Sequence, residues 1–316
     1  MELAVTILLF VIGLICIIKG GDWFVDSASW MAEVSGIPKF IVGSTIVSVA
    51  TTLPELITSV IATADGKVDL AVGNAVGSVT ANTGLILGVS LIFMAGAITR
   101  KQFVPKAVLL ILSAATLLLL ISRSGTLTVL SGIVLLAIFA VYLIENIYST
   151  QRNAGLNTRV PFEKKELPRR LFFFVVGTAG IVIGANLLVD NGSELAILLG
   201  VPESVVALTL VAIGTSLPEL VTAITAIVKR QGLLSVGNII GANIIDLTLI
   251  LPICALVSGG TLTISPQTWQ LDLPVCLGVI LLAMILPMVT KNFYRWQGAL
   301  LVMGYLAYLA VLVGIL

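Results

Sequence analysis

Residues 51–56 of the chain read TTLPEL, and residues 215–220 read TSLPEL. The two stretches lie 164 residues apart. The same offset, applied without gaps, aligns a series of glycines, prolines, asparagines and acids: Gly13 with Gly177, Gly20 with Gly184, Asp26 with Asp190, Pro38 with Pro202, Asn74 with Asn238, Gly77 with Gly241, and Asn82 with Asp246. Chance does not place so many special residues in one register, so the chain contains one structural unit twice.

The composition of the chain indicates a membrane protein. Of its 316 residues, 58% are hydrophobic and 10% are charged, and the mean hydropathy is +1.15. A soluble domain carries about a quarter charged residues, so this chain cannot cover itself with a solvated surface. The net charge of +1 leaves no basic tail for nucleic acid, and the lack of histidine removes the commonest transition-metal ligand. The three cysteines lie in apolar stretches, where we expect them to pack rather than form a disulfide framework.

Ten apolar segments, separated by charged residues or by glycine and proline, predict ten membrane-spanning helices. They lie at residues 3–33, 39–63, 69–97, 104–122, 127–148, 169–198, 203–228, 232–258, 270–289 and 296–315. Runs such as AVLLILSAATLLLLI (107–121) lack the alternation of β-barrel strands, so we predict an all-α membrane protein. No basic residue precedes the first segment, which we expect to be a retained span rather than a signal peptide.

The two units have opposite directions in this topology. Five spans separate equivalent points, and because five is odd, the second unit enters the membrane from the other side. We therefore predict two inverted five-helix repeats, residues 1–148 with a motif at 44–88 and residues 169–316 with a motif at 208–252, joined by a short linker at 149–168. Inverted repeats are typical of transporters that alternate access around a site near the midplane.

The basic residues predict the orientation of the chain. Fourteen of the 17 lysines and arginines fall in or beside the loops after odd-numbered spans, whereas only Lys67 and Arg123 fall in the loops after even-numbered spans. Basic residues collect in cytoplasmic loops. We therefore expect a multi-pass protein of the cell membrane with both termini extracellular and the central linker cytoplasmic.

A polar stripe with steps of three or four residues runs along one face of the second span and again along the seventh. The second span carries Ser48, Thr51, Thr52 and Glu55, and the seventh carries Ala212, Thr215, Ser216 and Glu219. An ionisable side chain at membrane depth is costly and by default marks function. Pro54 and Pro218 each remove a backbone donor, so we expect them to open their helices and free carbonyl oxygens. Carboxylates, hydroxyls and free carbonyls together suit hard cations such as Na⁺ and Ca²⁺.

Two glycine-rich segments stand in the third and eighth spans. They read GNAVGS (73–78) and GNIIGA (237–242). Glycines let membrane helices approach closely, and here we expect them to bring Ser78, Asn82 and Asp246 toward the two glutamates. Simple helix packing is the other role of such glycines, and the two roles are compatible.

These segments carry a resemblance to a known family. The stretches VGSTIVSVATTLPELITS (42–59) with VGNAVGSVTAN (72–82), and ALTLVAIGTSLPELVTA (207–223) with VGNIIGANIID (236–246), resemble the two α-repeats of the sodium/calcium exchanger family, within the cation/calcium exchanger superfamily. The resemblance spans nearly the whole chain. It implies a ten-helix bundle that is not an enzyme, needs no cofactor, and exchanges extracellular Na⁺ for intracellular Ca²⁺ at one central cluster.

The resemblance also implies roles for individual residues. Glu55 and Glu219 match the acids that bind Ca²⁺, and Thr51 and Thr215 match positions that offer backbone carbonyls. The positions that match polar residues around the Na⁺ and central sites are Thr52, Ser216, Ser78, Asn82 and Asp246. The chain departs from the family where Ala50 replaces a common glycine and where Ala242 replaces a common serine. The expected partners are Na⁺ and Ca²⁺ as substrates and the lipid bilayer, with no nucleic acid and no obligatory protein partner.

Several alternatives stay open from the sequence. Proton-driven Ca²⁺ exchange by the same fold needs only the acids, although the hydroxyls beside both glutamates favour Na⁺. Potassium dependence is a second alternative, because NIIDLTLILP (243–252) resembles the potassium-dependent branch, where an acid stands at the Asp246 position. A passive Ca²⁺ channel is a third class, whereas an intramembrane aspartyl protease lacks its GxGD-type signature here.

Overall fold

The computed structural model describes residues 2–122, 124–153, 165–199 and 214–315. Within these ranges nine helices are long and apolar enough to cross a membrane, and a tenth apolar helix is shorter. The ten are α1 Glu2–Ser35, α2 Lys39–Ala64, α3 Val68–Met94, α4 Arg100–Ser122, α5 Val129–Asn153, α6 Glu166–Leu198, the shorter α7 Leu217–Val228, α8 Gly232–Val257, α9 Thr268–Thr290 and α10 Arg295–Ile315. The all-α membrane fold is confirmed; the first part of the predicted seventh span, residues 203–213, lies outside the described residues.

A small strand pair is the exception to the all-helical prediction. Strand β1 (Thr126–Thr128), between α4 and α5, pairs antiparallel with strand β2 (Thr261–Thr263), between α8 and α9. On the opposite face, a single bridge joins Ala97, between α3 and α4, to Asn292, between α9 and α10. Strands of three residues are too short to show a period in the sequence. Each tie joins two loops that the predicted topology places on the same side.

The buried centre of the bundle is formed by α2, α3 and α8. In α8, 83% of the most apolar window is buried inside the protein, compared with 22% in α1 and in α6. One large apolar cluster joins α3, α4, α5, α8 and α9, while a separate cluster joins α1 and α6 to the near faces of α2 and α7. The helices α1 and α6 therefore form a packing unit of their own at the side of the bundle.

The contact between α1 and α6 is made backbone to backbone. A Cβ atom added at Gly20 would lie 2.8 Å from the carbonyl oxygen of Gly177, and one added at Gly177 would lie 2.8 Å from that of Gly20. Gly13 and Gly184 make the same reciprocal contact, at 3.0 and 2.7 Å. The repeat therefore places matched glycines where two backbones approach too closely for a larger residue.

Within the described ranges, four of the long helices contain a wide π-helical turn. These turns are Gly43–Val47 in α2, Asn82–Leu87 in α3, Asp246–Ile250 in α8 and Thr268–Asp272 in α9. Those in α3 and α8 begin at repeat-equivalent residues, Asn82 and Asp246. Turns of this kind often occur at functional sites because they shift the side chains that follow.

The two prolines of the repeated motif act differently. Helix α2 stays α-helical from Ser48 to Ala64, so Pro54 leaves the carbonyl of Ala50 without its backbone donor but does not interrupt the helix. One proline removes only one hydrogen bond, and the neighbours packed around α2 hold the remaining turns in place. Pro218 instead lies in the first turn of α7, where its missing N–H is not needed.

Candidate ion-binding site

Among the described residues, three acidic side chains are almost completely buried inside the bundle. Glu55 on α2, Glu219 in the first turn of α7 and Asp246 on α8 expose 1%, 0% and 1% of their surface. The three helices that carry them contact one another. Helix packing thus brings the two motif glutamates, 164 positions apart in the sequence, to the same depth of the protein.

The oxygens of these acids have no protein partner. Both carboxylate oxygens of each of the three acids are buried without a hydrogen bond. Neighbouring neutral oxygens share this property: the hydroxyls of Thr52, Ser216 and Thr222 and the side-chain oxygen of Asn82. Buried polar atoms nearly always have a partner, and a buried unpaired charge is especially costly. A lining made only of oxygens fits Na⁺ or Ca²⁺, which bind oxygen ligands.

The acids also act on one another through their charges. Glu219 and Asp246 both repel Glu55, and Glu219 repels Asp246. Such repulsion is strong inside a protein, where water does not screen it, and a bound cation relieves it. Among the described residues, no three acidic or cysteine side chains converge tightly enough to chelate one metal ion.

Two repeat-equivalent asparagines hold the central helices together. The Thr51 hydroxyl donates to the side-chain oxygen of Asn238, at 3.1 Å. Asn74 donates its amide to the Glu55 carbonyl, at 3.3 Å, and to the Ser59 hydroxyl, at 2.9 Å. These bonds fix the face of α2 that presents the glutamate. The sequence contained the pairing of the two asparagines but gave no indication of these partners.

In addition to the contacts of Asn74 and Asn238, side-chain amides form hydrogen bonds between α3 and α8. Asn82 Nδ2 donates to Asn243 Oδ1 at 3.1 Å, and Asn243 Nδ2 donates to Thr83 Oγ1 at 2.8 Å. All three side chains are buried. Sequence analysis selected Asn82 but missed Asn243 and Thr83.

The glycines of the eighth span make the predicted close approach. A Cβ atom at Gly237 would overlap the Phe40 carbonyl oxygen, and one at Gly241 would lie 2.6 Å from the Ser48 hydroxyl. Gly43 on α2 contacts the Leu234 carbonyl in the same way. For the matching glycines of α3, no described residue lies within 4 Å of an added Cβ.

The other predicted site residues occupy less direct positions. Ser48 is buried, but its hydroxyl donates to the Thr45 carbonyl at 2.9 Å, and Ser78 is buried on α3. Thr215 is half-buried just before α7. Ala212 lies outside the described residues.

A cavity of about 140 Å³ lies beside the residues that immediately precede Glu55 and Glu219. Its lining includes the two motif prolines, Pro54 and Pro218. The polar groups of the lining are Thr58 on α2, Asn186 and Asp190 on α6, and Thr215 just before α7. The lining residues Thr58 and Asp190 lie toward the ends of α2 and α6 that the predicted topology places on the extracellular side.

An ion pair lies on the opposite side of the site, which the predicted topology places in the cytoplasm. The Lys229 ammonium, just after α7, lies 3.1 Å from Asp22 Oδ1 and 2.7 Å from Asp26 Oδ1 on α1. Partial burial acts to lower the pKa of Lys229, but hydrogen bonds and charge from the two aspartates outweigh it and leave the pKa above its ordinary value. Lys229 therefore keeps its charge and ties α1 to the end of α7.

The chain matches one family twice, once in each half. The family described as sodium/calcium exchanger protein matches residues 5–148 and again residues 170–314. Among characterised relatives, the sodium/calcium exchanger MaX1 of Methanosarcina acetivorans is 29% identical over 349 residues, which cover 98% of this chain and 99% of that protein. The inner membrane protein YrbG of Escherichia coli is 34% identical over 316 residues, covering 96% of this chain and 95% of that protein.

The fold is similar to that of a solved exchanger. The sodium-calcium exchanger NCX_Mj, soaked with 2.5 mM Na⁺ and 10 mM Sr²⁺, superposes with a TM-score of 0.85 at 27% sequence identity. The superposition covers 98% of this chain and 99% of that chain.

Proposed function

The chain belongs to the sodium/calcium exchanger family and is a multi-pass membrane antiporter that exchanges Na⁺ for Ca²⁺; we propose that the exchange takes place at the cluster around Glu55, Glu219 and Asp246. The observation that carries the proposal is the set of six buried carboxylate oxygens without a protein partner. The neutral ligands of the proposed site are Thr51, Thr52, Thr215, Ser216, Ser78 and Asn82, with Ser48 and Ala212 as the first positions of the two polar stripes in the sequence.

Competition for the same charges couples the two fluxes in this proposal. One Ca²⁺ neutralises both glutamates, and Na⁺ ions supply the same positive charge separately. The carboxylates cannot bind Ca²⁺ and the Na⁺ ions at the same time, because the added positive charge would then be unbalanced in a poorly screened interior. An empty cluster keeps its mutual repulsion and resists closure. Exchange is therefore obligatory, since an ion of one kind leaves only as the other takes its place.

The proposed transport cycle alternates access through the two inverted halves, residues 1–148 and 169–316, on either side of the linker at 149–168. The 140 Å³ cavity supports access from the side where α2 ends, and the Lys229 ion pair supports closure on the other side. The distribution of basic residues supports a cytoplasmic position for the closed side and for the linker, with both termini extracellular.

Charge-neutral substitution of the glutamates tests the site. We expect Glu55→Gln and Glu219→Gln each to reduce Na⁺-driven Ca²⁺ uptake into proteoliposomes by about ten-fold or more, because each removes a charged ligand worth roughly 1.5–3 kcal/mol. Glutamine keeps the size of the side chain and removes the repulsion, so thermal stability without ions should not fall.

Asp65→Asn is the matched control, because Asp65 is an exposed acid at the end of the same helix, paired only with Lys67 at 3.7 Å. It should transport like the wild type. Undiminished Ca²⁺ uptake by either glutamine variant would overturn the proposed site.

The driving ion is tested with gradients. Ca²⁺ uptake should follow an outward Na⁺ gradient and should not follow a K⁺ gradient or a pH gradient of the same size. Uptake driven by pH alone would contradict Na⁺ coupling, and Ca²⁺ entry without any counter-ion would indicate a channel.

A further inference from the structure

The two halves of the site differ at one pair of equivalent residues. Asn82 on α3 stands where α8 has Asp246. A carboxylate offers oxygen from both of its ends, whereas an amide offers oxygen at one end and two N–H donors at the other. Facing a cation, the amide coordinates through its oxygen and repels through its nitrogen. Asn82 therefore needs a group that fixes its orientation, and Asp246 does not.

Asn243 occupies the position of such a group. Its side-chain oxygen accepts from Asn82 Nδ2 at 3.1 Å, and its own amide nitrogen donates to Thr83 Oγ1 at 2.8 Å. Both asparagines are at least 99% buried, so water does not compete for these bonds. The Asn82 oxygen is left as the end without a partner.

Comparison of the two repeats supports a specific role for Asn243 in orienting Asn82. The equivalent of Asn243 in the first half is Val79, which has no polar group. An orienting amide, Asn243, is therefore present in the half opposite Asn82. The half opposite the carboxylate Asp246 has Val79 at the equivalent position. Asn243 lies one turn before Asp246 on α8 and contacts the π-helical turn that begins at Asn82.

From these observations we infer that Asn243 is a positioning residue that turns the Asn82 oxygen toward the transported cation. The inference rests on the proposed cation site. The oriented oxygen is a neutral ligand, and a neutral ligand matters more for Na⁺ than for Ca²⁺, which the carboxylates hold. Asn243 thus sets the apparent affinity for Na⁺ without touching the ion.

The test compares Na⁺ dependence among single and double variants in proteoliposomes. Asn243→Ala should raise the Na⁺ concentration for half-maximal Ca²⁺ exchange about five-fold, as expected for the loss of one hydrogen-bond-scale interaction, with a smaller change in the maximal rate. Asn82→Ala should give a similar shift. The double variant should shift no further, because both changes remove the same oriented oxygen.

The Asn82→Asp background distinguishes a positioning role of Asn243 from a merely structural one. A carboxylate at position 82 presents oxygen in either orientation, so Asn243→Ala should have little effect on Na⁺ dependence in the Asn82→Asp background. An equal shift in both backgrounds would overturn the inference.

Thr83→Val covers the case in which Asn243→Ala does not fold. Valine keeps the shape of threonine and removes only the acceptor for Asn243, so we expect a smaller shift in the same direction. Unchanged Na⁺ dependence in Thr83→Val, with or without a folded Asn243→Ala, would overturn the inference. If Glu55→Gln lost transport while these variants did not change, only the role of Asn243 would fail; if Glu55→Gln kept transport, the site itself would fail.

Discussion

Ala242, like Ala212, is a residue at which the second half of the proposed site lacks a hydroxyl that the first half has. Its repeat partner is Ser78, and it is fully buried on α8, about one turn before Asp246. We expect Ala242→Ser to lower the Na⁺ concentration for half-maximal exchange about five-fold, because a neutral ligand contributes roughly 1 kcal/mol. Ca²⁺ affinity measured without Na⁺ should change less. Na⁺-dependence curves of Ca²⁺ uptake provide the measurement.

Ala255→Ser is the control for this change, since Ala255 is a fully buried alanine on the same helix, beyond the site. It should leave the Na⁺ curve where it is. Superimposable curves for Ala242→Ser and the wild type would mean that position 242 does not line a Na⁺ site.

At the residue scale, the sequence predicts the charged members of the site better than its neutral ones. Glu55 and Glu219 could be selected because a charge in an apolar helix is conspicuous and the repeat marks it twice. Asn243 could not, because its partner Asn82 lies 161 positions away and the bond depends on how two side chains meet. Whether a hydroxyl is free, as in Thr52, or already bonded, as in Ser48, likewise depends on local geometry.

At the scale of the elements, hydropathy predicts the ends of the nine long described helices to within about five residues, because the bilayer sets their length. The shorter α7 begins well after the predicted start of the seventh span, whose first part lies outside the described residues. Hydropathy does not predict what α2 does at Pro54, since the neighbours of a helix decide whether a missing hydrogen bond opens it. It also does not predict β1 and β2, whose pairing depends on the tertiary position of two loops.

The contact between α1 and the end of α7 has no counterpart in the other half. The repeat partner of Lys229 is Asp65, and that of Asp26 is Asp190, so equivalent positions on the other side carry like charges. We expect Lys229→Gln to favour the state open on the Lys229 side by several-fold, because partly exposed ion pairs contribute about 0.2–1 kcal/mol each. A cysteine placed at Thr225, which faces Gly21 across this contact, should then react faster with an impermeant maleimide.

Lys67→Gln removes an exposed ion pair on the opposite side, with Asp65, and is the control. It should leave the reactivity at position 225 unchanged. Equal reactivity in Lys229→Gln and the wild type would show that the ion pair does not hold this side closed.

At the scale of the whole molecule, α1 and α6 pack chiefly against each other. They share matched glycine contacts and an apolar cluster that reaches α2, α7 and α8, while β1 with β2 and the Ala97–Asn292 bridge tie together loops of α3, α4, α5, α8, α9 and α10. We expect α1 and α6 to move against a rigid core during exchange. In a Cys16→Ser background, spin labels at Val5 and Thr261 should change their separation between Na⁺ and Ca²⁺, whereas labels at Thr126 and Thr263 should not.

The strand pair also provides an internal control for distance measurements on this protein. Thr126 and Thr263 face each other in a ladder that joins α4–α5 to α8–α9, and the two other cysteines, Cys254 and Cys276, are buried away from labelling reagents. A label pair on the ladder should therefore keep one separation in Na⁺ and in Ca²⁺. A change that appears in a pair on α1 or α6 and not in the ladder pair then belongs to transport rather than to the detergent or the lipid.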